Sequence, residues 1–278
     1  MLRQRVVTAV VLAVLGAALI GLTGVTTFAL LAALVALLAA GEFARLAAWD
    51  RPLQRAVLVL LVAAALALGA PLAFDDGLQV LLQWLLGAAT LWWILPGFWM
   101  LRYPAHTSAW SAPAMRVVIA VWVLSSAWVA LVTLKTGPGG ERALLFLIGL
   151  VASADIGAYA CGRTWGRAKL IPQVSPGKTW AGVGGGLAAA MAFSVGVLVV
   201  CDYRGTWWGV LASVAVAVVI SVLGDLLISL FKRHVGLKDS SHLLPGHGGL
   251  LDRLDSLLAA APWVAWSVKF GAFAGVGW

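Results

Sequence analysis

Residues 6–41 read VVTAVVLAVLGAALIGLTGVTTFALLAALVALLAAG, thirty-six positions without one charged side chain. As a single helix, at ~1.5 Å per residue, this stretch would run ~54 Å, against a hydrocarbon core of ~30 Å. It must therefore turn back once inside the run. Gly21-Leu-Thr-Gly24 supplies the natural turn, giving two short spans at about 6–21 and 24–41. Arg3 and Arg5 ahead of the apolar run also fit a secretory signal. Because the membrane pattern continues past any cleavage point, a retained signal anchor is the preferred reading.

The rest of the 278-residue chain follows the same pattern. Its residues are 62% hydrophobic and 11% charged, where a soluble domain carries roughly 45–50% and about 25%. A soluble two-domain enzyme is excluded by this composition, and two cysteines are too few for a secreted disulfide scaffold. Further apolar stretches fall near 56–73, 78–101, 117–134, 143–161, 182–201, 206–231 and 256–276. None shows the strict alternation of a membrane β-barrel strand. The expected fold is an all-α polytopic integral membrane helical bundle with about nine transmembrane helices, kinked or offset near Pro96 and Pro262.

The net charge of +8 first reports orientation. Fifteen of the nineteen Lys and Arg residues fall in segments on the side of the N-terminus, leaving only Lys135, Arg142, Arg204 and Lys269 opposite. By the positive-inside rule the N-terminus is cytoplasmic, the number of spans odd and the C-terminus external. No nucleic-acid partner is needed to explain the charge. Trp110, Trp165, Trp180, Trp207 and Trp208 fall at span ends, as interfacial anchors do, whereas Trp92 and Trp93 fall mid-span and read as packing. Cys161 and Cys201 end successive helix segments on opposite sides, so no disulfide is expected.

Two cytoplasmic loops break the apolar pattern: GRTWGRAKLIPQVSPGKTWA at 162–181 and KRHVGLKDSSHLLPGHGGLLDRLD at 232–255. They hold eight of the fifteen cytoplasmic cations. Residues 1–142 read as about five scaffold spans, and 143–278 as the catalytic region carrying both loops. Asp155 precedes the first loop by seven residues and Asp225 precedes the second by seven, each inside an apolar span. A carboxylate there is costly unless it pairs, binds a cation or faces water. Internal ion pairing is the bland reading of either one; two at matching depth beside two basic loops point further.

Asp225, Ser229 and Lys232, spaced i, i+4 and i+7, share one helix face, as do Asp252 and Asp255. Carboxylates converging at one interface make a hard-oxygen site suited to Mg²⁺. Pro245-Gly-His-Gly-Gly249 is too flexible for helix and offers amides to an anion. Ser175-Pro-Gly-Lys-Thr179 offers a hydroxyl and an amine, but it is no Walker motif, since position 172 is Pro and no strand is expected ahead of it. His247 reads equally as an acid/base group, a phosphate donor or a loop cap. His234 and His242 show no metal-ligand spacing with it. The residues alone thus point to a phosphate-handling site at the inner membrane surface, equipped for metal-assisted phosphoryl or nucleotidyl transfer to a lipid.

The run Ser229-Leu-Phe-Lys-Arg233, then four residues, then Lys238-Asp-Ser-Ser-His-Leu-Leu-Pro-Gly-His-Gly-Gly-Leu-Leu-Asp-Arg-Leu-Asp255, resembles the signature of the phosphatidate cytidylyltransferases, or CDP-diacylglycerol synthases. Asp155-Ile-Gly-Ala-Tyr159 through Lys169-Leu-Ile-Pro-Gln-Val-Ser-Pro-Gly-Lys-Thr-Trp180 resembles a second block of that family. Relatives often carry Glu or Gln where this chain has Ala181, which removes any polar role at that position. The resemblance is specific from about 150 to 262 and only hydropathic before.

It implies transfer of CMP from CTP to phosphatidic acid, giving CDP-diacylglycerol and pyrophosphate for phospholipid biosynthesis. Mg²⁺ is implied as cofactor, with a monovalent cation as an optional companion. The implied setting is a bacterial inner membrane with the active site facing the cytoplasm, and a homodimer is the protein assembly considered. On that reading Asp225, Lys232, Asp252 and Arg253 are the catalytic set, and Asp225, Asp252, Asp255 and Asp155 the metal ligands. Ser175, Lys178, Ser229, Arg233, Lys238, Asp239, Gly246, His247, Gly248 and Gly249 contact substrate. Two other functions fit parts of the pattern. A CTP-dependent kinase of a polyprenol would release CDP rather than pyrophosphate. An ion-coupled transporter using Asp155 and Asp225 would show matched halves, and the polar residues here cluster in one half.

Overall fold

The structure, a computed structural model, describes residues 2–244, 246, 248–273 and 276. The opening apolar run forms α1 (Leu2–Leu22) and α2 (Val25–Leu46), broken at Thr23-Gly24. Thr23 Oγ1 donates back to Leu19 O, and Gly24 is the extended residue from which α2 starts. Then follow α3 (Pro52–Phe74), α4 (Gln79–Leu91), α5 (Ile94–Arg102), α6 (Pro113–Thr136) and α7 (Gly140–Trp165). A hairpin of β1 (Lys169–Ile171) and β2 (Ser175–Thr179) leads into α8 (Trp180–Val200), α9 (Trp207–His234) and α10 (Leu251–Phe270). The all-α polytopic bundle is what the sequence leads one to expect, with the small hairpin as an addition.

Among the described residues, 7 helical segments are long and apolar enough to cross a membrane: α2, α3, Asp76–Arg102, α6, α7, α8 and α9. The apolar pattern of the sequence predicts about nine spans. The difference lies at the two ends: α1 is not among the seven, and α10 carries Asp252, Arg253, Asp255 and Lys269. The last helix also stops at Phe270 rather than 276.

The span around Pro96 is indeed interrupted, but ahead of the proline. Pro96 has no N–H to give the Trp92 carbonyl four residues back, so that carbonyl accepts from Leu95 N at 3.0 Å and the chain breaks between α4 and α5. Trp92 and Trp93 fill the break with their rings 5.0 Å apart, Trp93 only 4% exposed. Pro262 sits inside an unbroken α10.

α6 and α9 make the centre of the bundle, 72% and 61% buried over their most apolar windows, against 22% for α3, α8 and the α4–α5 segment. The peripheral helices turn large apolar side chains such as Leu60, Leu68 and Val199 outward, as a lipid-facing surface requires. α7 and α8 lie closest of all. A Cβ on Gly157 would overlap Gly185 O, and one on Gly186 would press on Ala154 O, so the pair approaches backbone to backbone through small residues. Gly157→Ala is expected to force α7 and α8 apart at a cost of about 1–3 kcal/mol. A lowered thermal midpoint in detergent, with unchanged helix content, checks it.

The two ends of the bundle separate by residue chemistry. At one end Lys135 Nζ, though buried, donates to Ile20 O at 2.6 Å and Glu141 Oε1 at 3.1 Å, tying α1, α6 and α7 together. At the other end Arg116 Nη1 donates to Leu46 O at 2.7 Å. This second end gathers the C-termini of α2, α7 and α9 and the N-termini of α6, α8 and α10. It is the arrangement that alternating crossings demand.

Trp165, Trp180 and Trp208 are exposed, as interfacial anchors are. Trp110 is not, and this corrects the sequence reading. It is fully buried against Phe231, with centroids 5.6 Å apart, and against His234 at 4.9 Å, because the 103–112 segment folds inward over the end of α9.

Candidate active site

The hairpin and the end of α9 meet first. Antiparallel pairing of Lys169 with Thr179 and Ile171 with Ser175 turns the chain through Pro172-Gln-Val174. Thr179 then caps α8, its Oγ1 accepting from Gly182 N at 3.0 Å. The hairpin is pinned at its turn, where Arg233 Nε donates to Val174 O at 3.4 Å beneath a fully buried Val174 side chain. Held so, β2 delivers Lys178 Nζ to Asp225 Oδ2 at 2.8 Å. Ser229 Oγ donates to the other oxygen, Asp225 Oδ1, at 3.3 Å, as the one-turn spacing anticipates.

A second pair lies beside it. Lys232 Nζ, two turns beyond Asp225 on α9, meets Asp252 Oδ1 at 2.7 Å. The other oxygen, Asp252 Oδ2, accepts from Ser240 N at 2.8 Å, Ser240 Oγ at 3.1 Å and Gly249 N at 3.2 Å. Asp252 stands in the first turn of α10, ahead of the apolar part of that helix. Burial works to raise its carboxyl. The Lys232 and Ser240 hydrogen bonds, the Lys232 charge and the Gly249 amide outweigh it and hold Asp252 below the usual carboxylate range.

Asp155 and Asp255 complete the acidic set. Asp255 is buried, its Oδ1 accepting from Ser256 N at 2.8 Å, where α9 and α10 come so close that a Cβ on Gly224 would overlap Asp255 O. Asp255 lies within electrostatic range of Asp225, Lys178 and Lys232; Asp155 lies within range of Lys178, Asp225 and Arg253. Four carboxylates, Asp155, Asp225, Asp252 and Asp255, thus face three cations, Lys178, Lys232 and Arg253, and the net negative charge fits a divalent cation. Among the described residues no three His, Cys, Asp or Glu side chains converge to metal-ligand distance. The fit is therefore to an ion that takes one or two carboxylates and fills its shell with phosphate oxygens and water, as Mg²⁺ does.

The remaining sequence candidates spread around these pairs. Ser175 opens β2, and Lys238 projects exposed from the loop after α9. A Cβ on Gly248 would touch both Asp239 and Asp252, which places Asp239 next to the second pair. Gly246 and Gly248 adopt φ of 76° and 82°, and Leu244 pairs with Gly248 in a short bridge. The Gly249 amide, expected to face an anion, is here spent on Asp252. His247 lies outside the described residues.

One residue of the site has no counterpart in the sequence reading. Glu42, at the end of α2 and 6% exposed, reaches across 198 positions to share the single Ser240 Oγ proton with Asp252, its Oε2 lying 2.9 Å from Oγ. It also accepts from Ser241 Oγ, from Leu250 N at 2.9 Å and from Leu251 N at 2.8 Å. One carboxylate thereby satisfies the loop hydroxyls and the orphan amides that start α10. Nearby, Arg45 Nη1 donates to Ser240 O at 3.1 Å. The N-terminal half is thus more than scaffold. Only the lone Glu closing a long apolar run hinted at it.

Below the paired charges, α1, α2, α6, α7 and α10 enclose a cleft of about 550 Å³. Its walls are apolar, including Phe28, Ala36, Trp128, Ala152 and Leu257, while Asp155 and Arg253 stand as its charged groups.

A sequence profile of the cytidylyltransferase family matches residues 3–270. A phosphatidate cytidylyltransferase of Pseudomonas aeruginosa is 40% identical over 276 residues, covering 98% of this chain and 100% of that protein. One of Haemophilus influenzae is 38% identical over 295 residues, covering 97% and 99%. One of Brucella suis is 48% identical over 124 residues, 45% of this chain and 46% of that protein.

Proposed function

The chain belongs to the cytidylyltransferase family, and from that membership we propose that it transfers CMP from CTP to phosphatidic acid, forming CDP-diacylglycerol and pyrophosphate. The observation that carries the reading is one juxtaposition. Two lysine–carboxylate pairs, Lys178 with Asp225 and Lys232 with Asp252, stand over an apolar cleft whose charged groups are Asp155 and Arg253. A lipid phosphate with its acyl chains in the cleft would present its oxygens to the same cluster that receives the triphosphate.

In the reaction a phosphate oxygen of the lipid attacks the α-phosphorus of CTP. A new P–O–P link forms as the bond to the pyrophosphate oxygen breaks. The nucleophile is the lipid's own oxygen, so no side-chain nucleophile is required. The two substrates together bring about five to six negative charges, whose mutual repulsion must be screened before the oxygen can approach. Lys178, Lys232 and Arg253 supply that screening. Each lysine exchanges its carboxylate for phosphate oxygens as substrate arrives, and Asp225, released by Lys178, would then be available to hold a divalent cation. Lys238 and Arg233 extend the positive rim, and Ser175 donates to the triphosphate.

Mg²⁺, held by Asp225 with Asp155 or Asp255, would neutralise charge on the phosphates when bound. We place the protein in a bacterial inner membrane with this end cytoplasmic, because the CTP pool is cytoplasmic and the basic loops lie here.

The test is incubation of purified protein with labelled CTP, phosphatidic acid and Mg²⁺. Lipid-borne cytidylate with stoichiometric pyrophosphate is expected; a folded preparation that released CDP, or formed no lipid product, would overturn the assignment. A second expectation follows from the cleft. Ala152→Phe should raise KM for long-chain phosphatidate by about tenfold, the cost of roughly two excluded methylenes, with little change for a dioctanoyl substrate. Equal effects on both would remove the cleft as the acyl site.

A further inference from the structure

On the same end of the bundle, but across the 237–240 segment from Asp252, lies a separate cavity of about 400 Å³. It is lined by Arg45, Ala48, Asp50, Arg116, His234, Val235 and Leu237, at the meeting of the C-termini of α2 and α9 with the N-terminus of α6. Of these residues only Arg45 also reaches the transfer site, through its hydrogen bond to Ser240 O.

Its wall carries an unbalanced charge. Arg116 is 3% exposed, yet its guanidinium makes one hydrogen bond, to Leu46 O, and its Nε has no partner. Among the described residues no carboxylate stands within ion-pair distance of Arg116 or Arg45. The single acid on the wall, Asp50, is turned to Arg55 at 3.8 Å, and His234 packs its ring on Trp110. The carbonyl ends of α2 and α9 offset part of the positive charge. A buried guanidinium with only a carbonyl partner still leaves most of its desolvation uncompensated. An anion bridging Arg116 and Arg45 would complete it, since a planar guanidinium matches phosphate oxygens in pairs.

We propose that this cavity is a second anion site, taking the phosphate group either of free phosphate or pyrophosphate or of an anionic lipid headgroup. It is independent of the transferase reading. Arg45 gives it a line to the reaction, because the same side chain holds Ser240 O and Ser240 holds Asp252.

The full chain in detergent, without Mg²⁺ or CTP, is titrated with inorganic phosphate and with pyrophosphate. It is then compared in nanodiscs of phosphatidylcholine and of phosphatidylglycerol. Thermal midpoints should rise by about 3–5 °C near tenfold saturation. A rise with the soluble ions marks a free-phosphate site; a rise with phosphatidylglycerol alone marks a headgroup site. Ala48→Glu, at an exposed rim position, would place a carboxylate beside both arginines. It should raise the ligand-free midpoint and abolish the response, while Arg45→Gln should weaken the response. A wild-type response in Ala48→Glu would put the anion elsewhere, and no response from the unmodified chain to any of these ligands would equally overturn the proposal.

Discussion

Glu42→Ala is expected to cost about 3–5 kcal/mol of stability and to lower kcat by roughly a hundredfold, although Glu42 touches no substrate group. The stability figure follows from what the truncation strands. Two backbone amides at the start of α10, Leu250 N and Leu251 N, lose their acceptor, as does the Ser241 hydroxyl, while Ser240 Oγ keeps only Asp252 Oδ2, at positions buried for Leu251 and Ser240 and part-buried for the others; each unsatisfied buried group costs about 1–3 kcal/mol. The loss of rate follows from the route to Asp252. Ser240 is held by Arg45 on its carbonyl, shares its one hydroxyl proton between Glu42 and Asp252 Oδ2, and gives Asp252 Oδ2 its backbone N–H.

Releasing Ser240 lets Asp252 drift by fractions of an ångström, which is enough to spoil in-line geometry. Glu42→Gln keeps one carbonyl acceptor but must turn its amide toward a serine hydroxyl and a backbone N–H, so it should fall between. The loss should appear mainly in kcat, measured at a temperature where the variant remains folded and monodisperse. A stable Glu42→Ala protein with wild-type kcat would mean the α2 carboxylate is dispensable.

How far the sequence anticipated this architecture depends on the range of the interaction concerned. Helix positions were legible because apolar length and charge placement are local signals: the turn at Gly24, the break near Pro96 and the end-to-end separation of Lys135 from Arg116 all follow from neighbours in the chain. Half of the site was legible for the same reason, since Asp225, Ser229 and Lys232 lie on one helix face. The pairings were not. Lys178 with Asp225 joins β2 to the interior of α9 across 47 positions, and Glu42 with Ser240 spans 198. No periodicity encodes either contact. The hairpin escaped because β1 has only three residues and Pro172 breaks its pattern. Trp110 escaped because a tryptophan beside a span reads the same whether it points to the interface or folds under the neighbouring helix.

Asp252→Asn is expected to lower kcat by about 10²–10⁴-fold, the range for removing a preorganised electrostatic group, with smaller effects on KM. The substitution is nearly isosteric, so the reason is direction and charge rather than volume. Asp252 faces donors on both sides: Lys232 Nζ on Oδ1, and Ser240 N, Ser240 Oγ and Gly249 N on Oδ2. An asparagine must aim its NH₂ at one of these sets. Toward the amides it sets donor against donor and unseats the glycine-rich loop; toward Lys232 it repels the ammonium and leaves a half-buried cation without its counter-charge. The double variant Lys232→Met/Asp252→Asn separates the two roles of the pair. If the pair only stabilises the fold, removing both charges should restore the thermal midpoint and the activity together. If it serves transfer, the midpoint should recover while activity stays low, because the cation that screens phosphate is then gone as well. Full activity of Asp252→Asn at normal expression would remove Asp252 from the site and leave Lys178 with Asp225 as its centre.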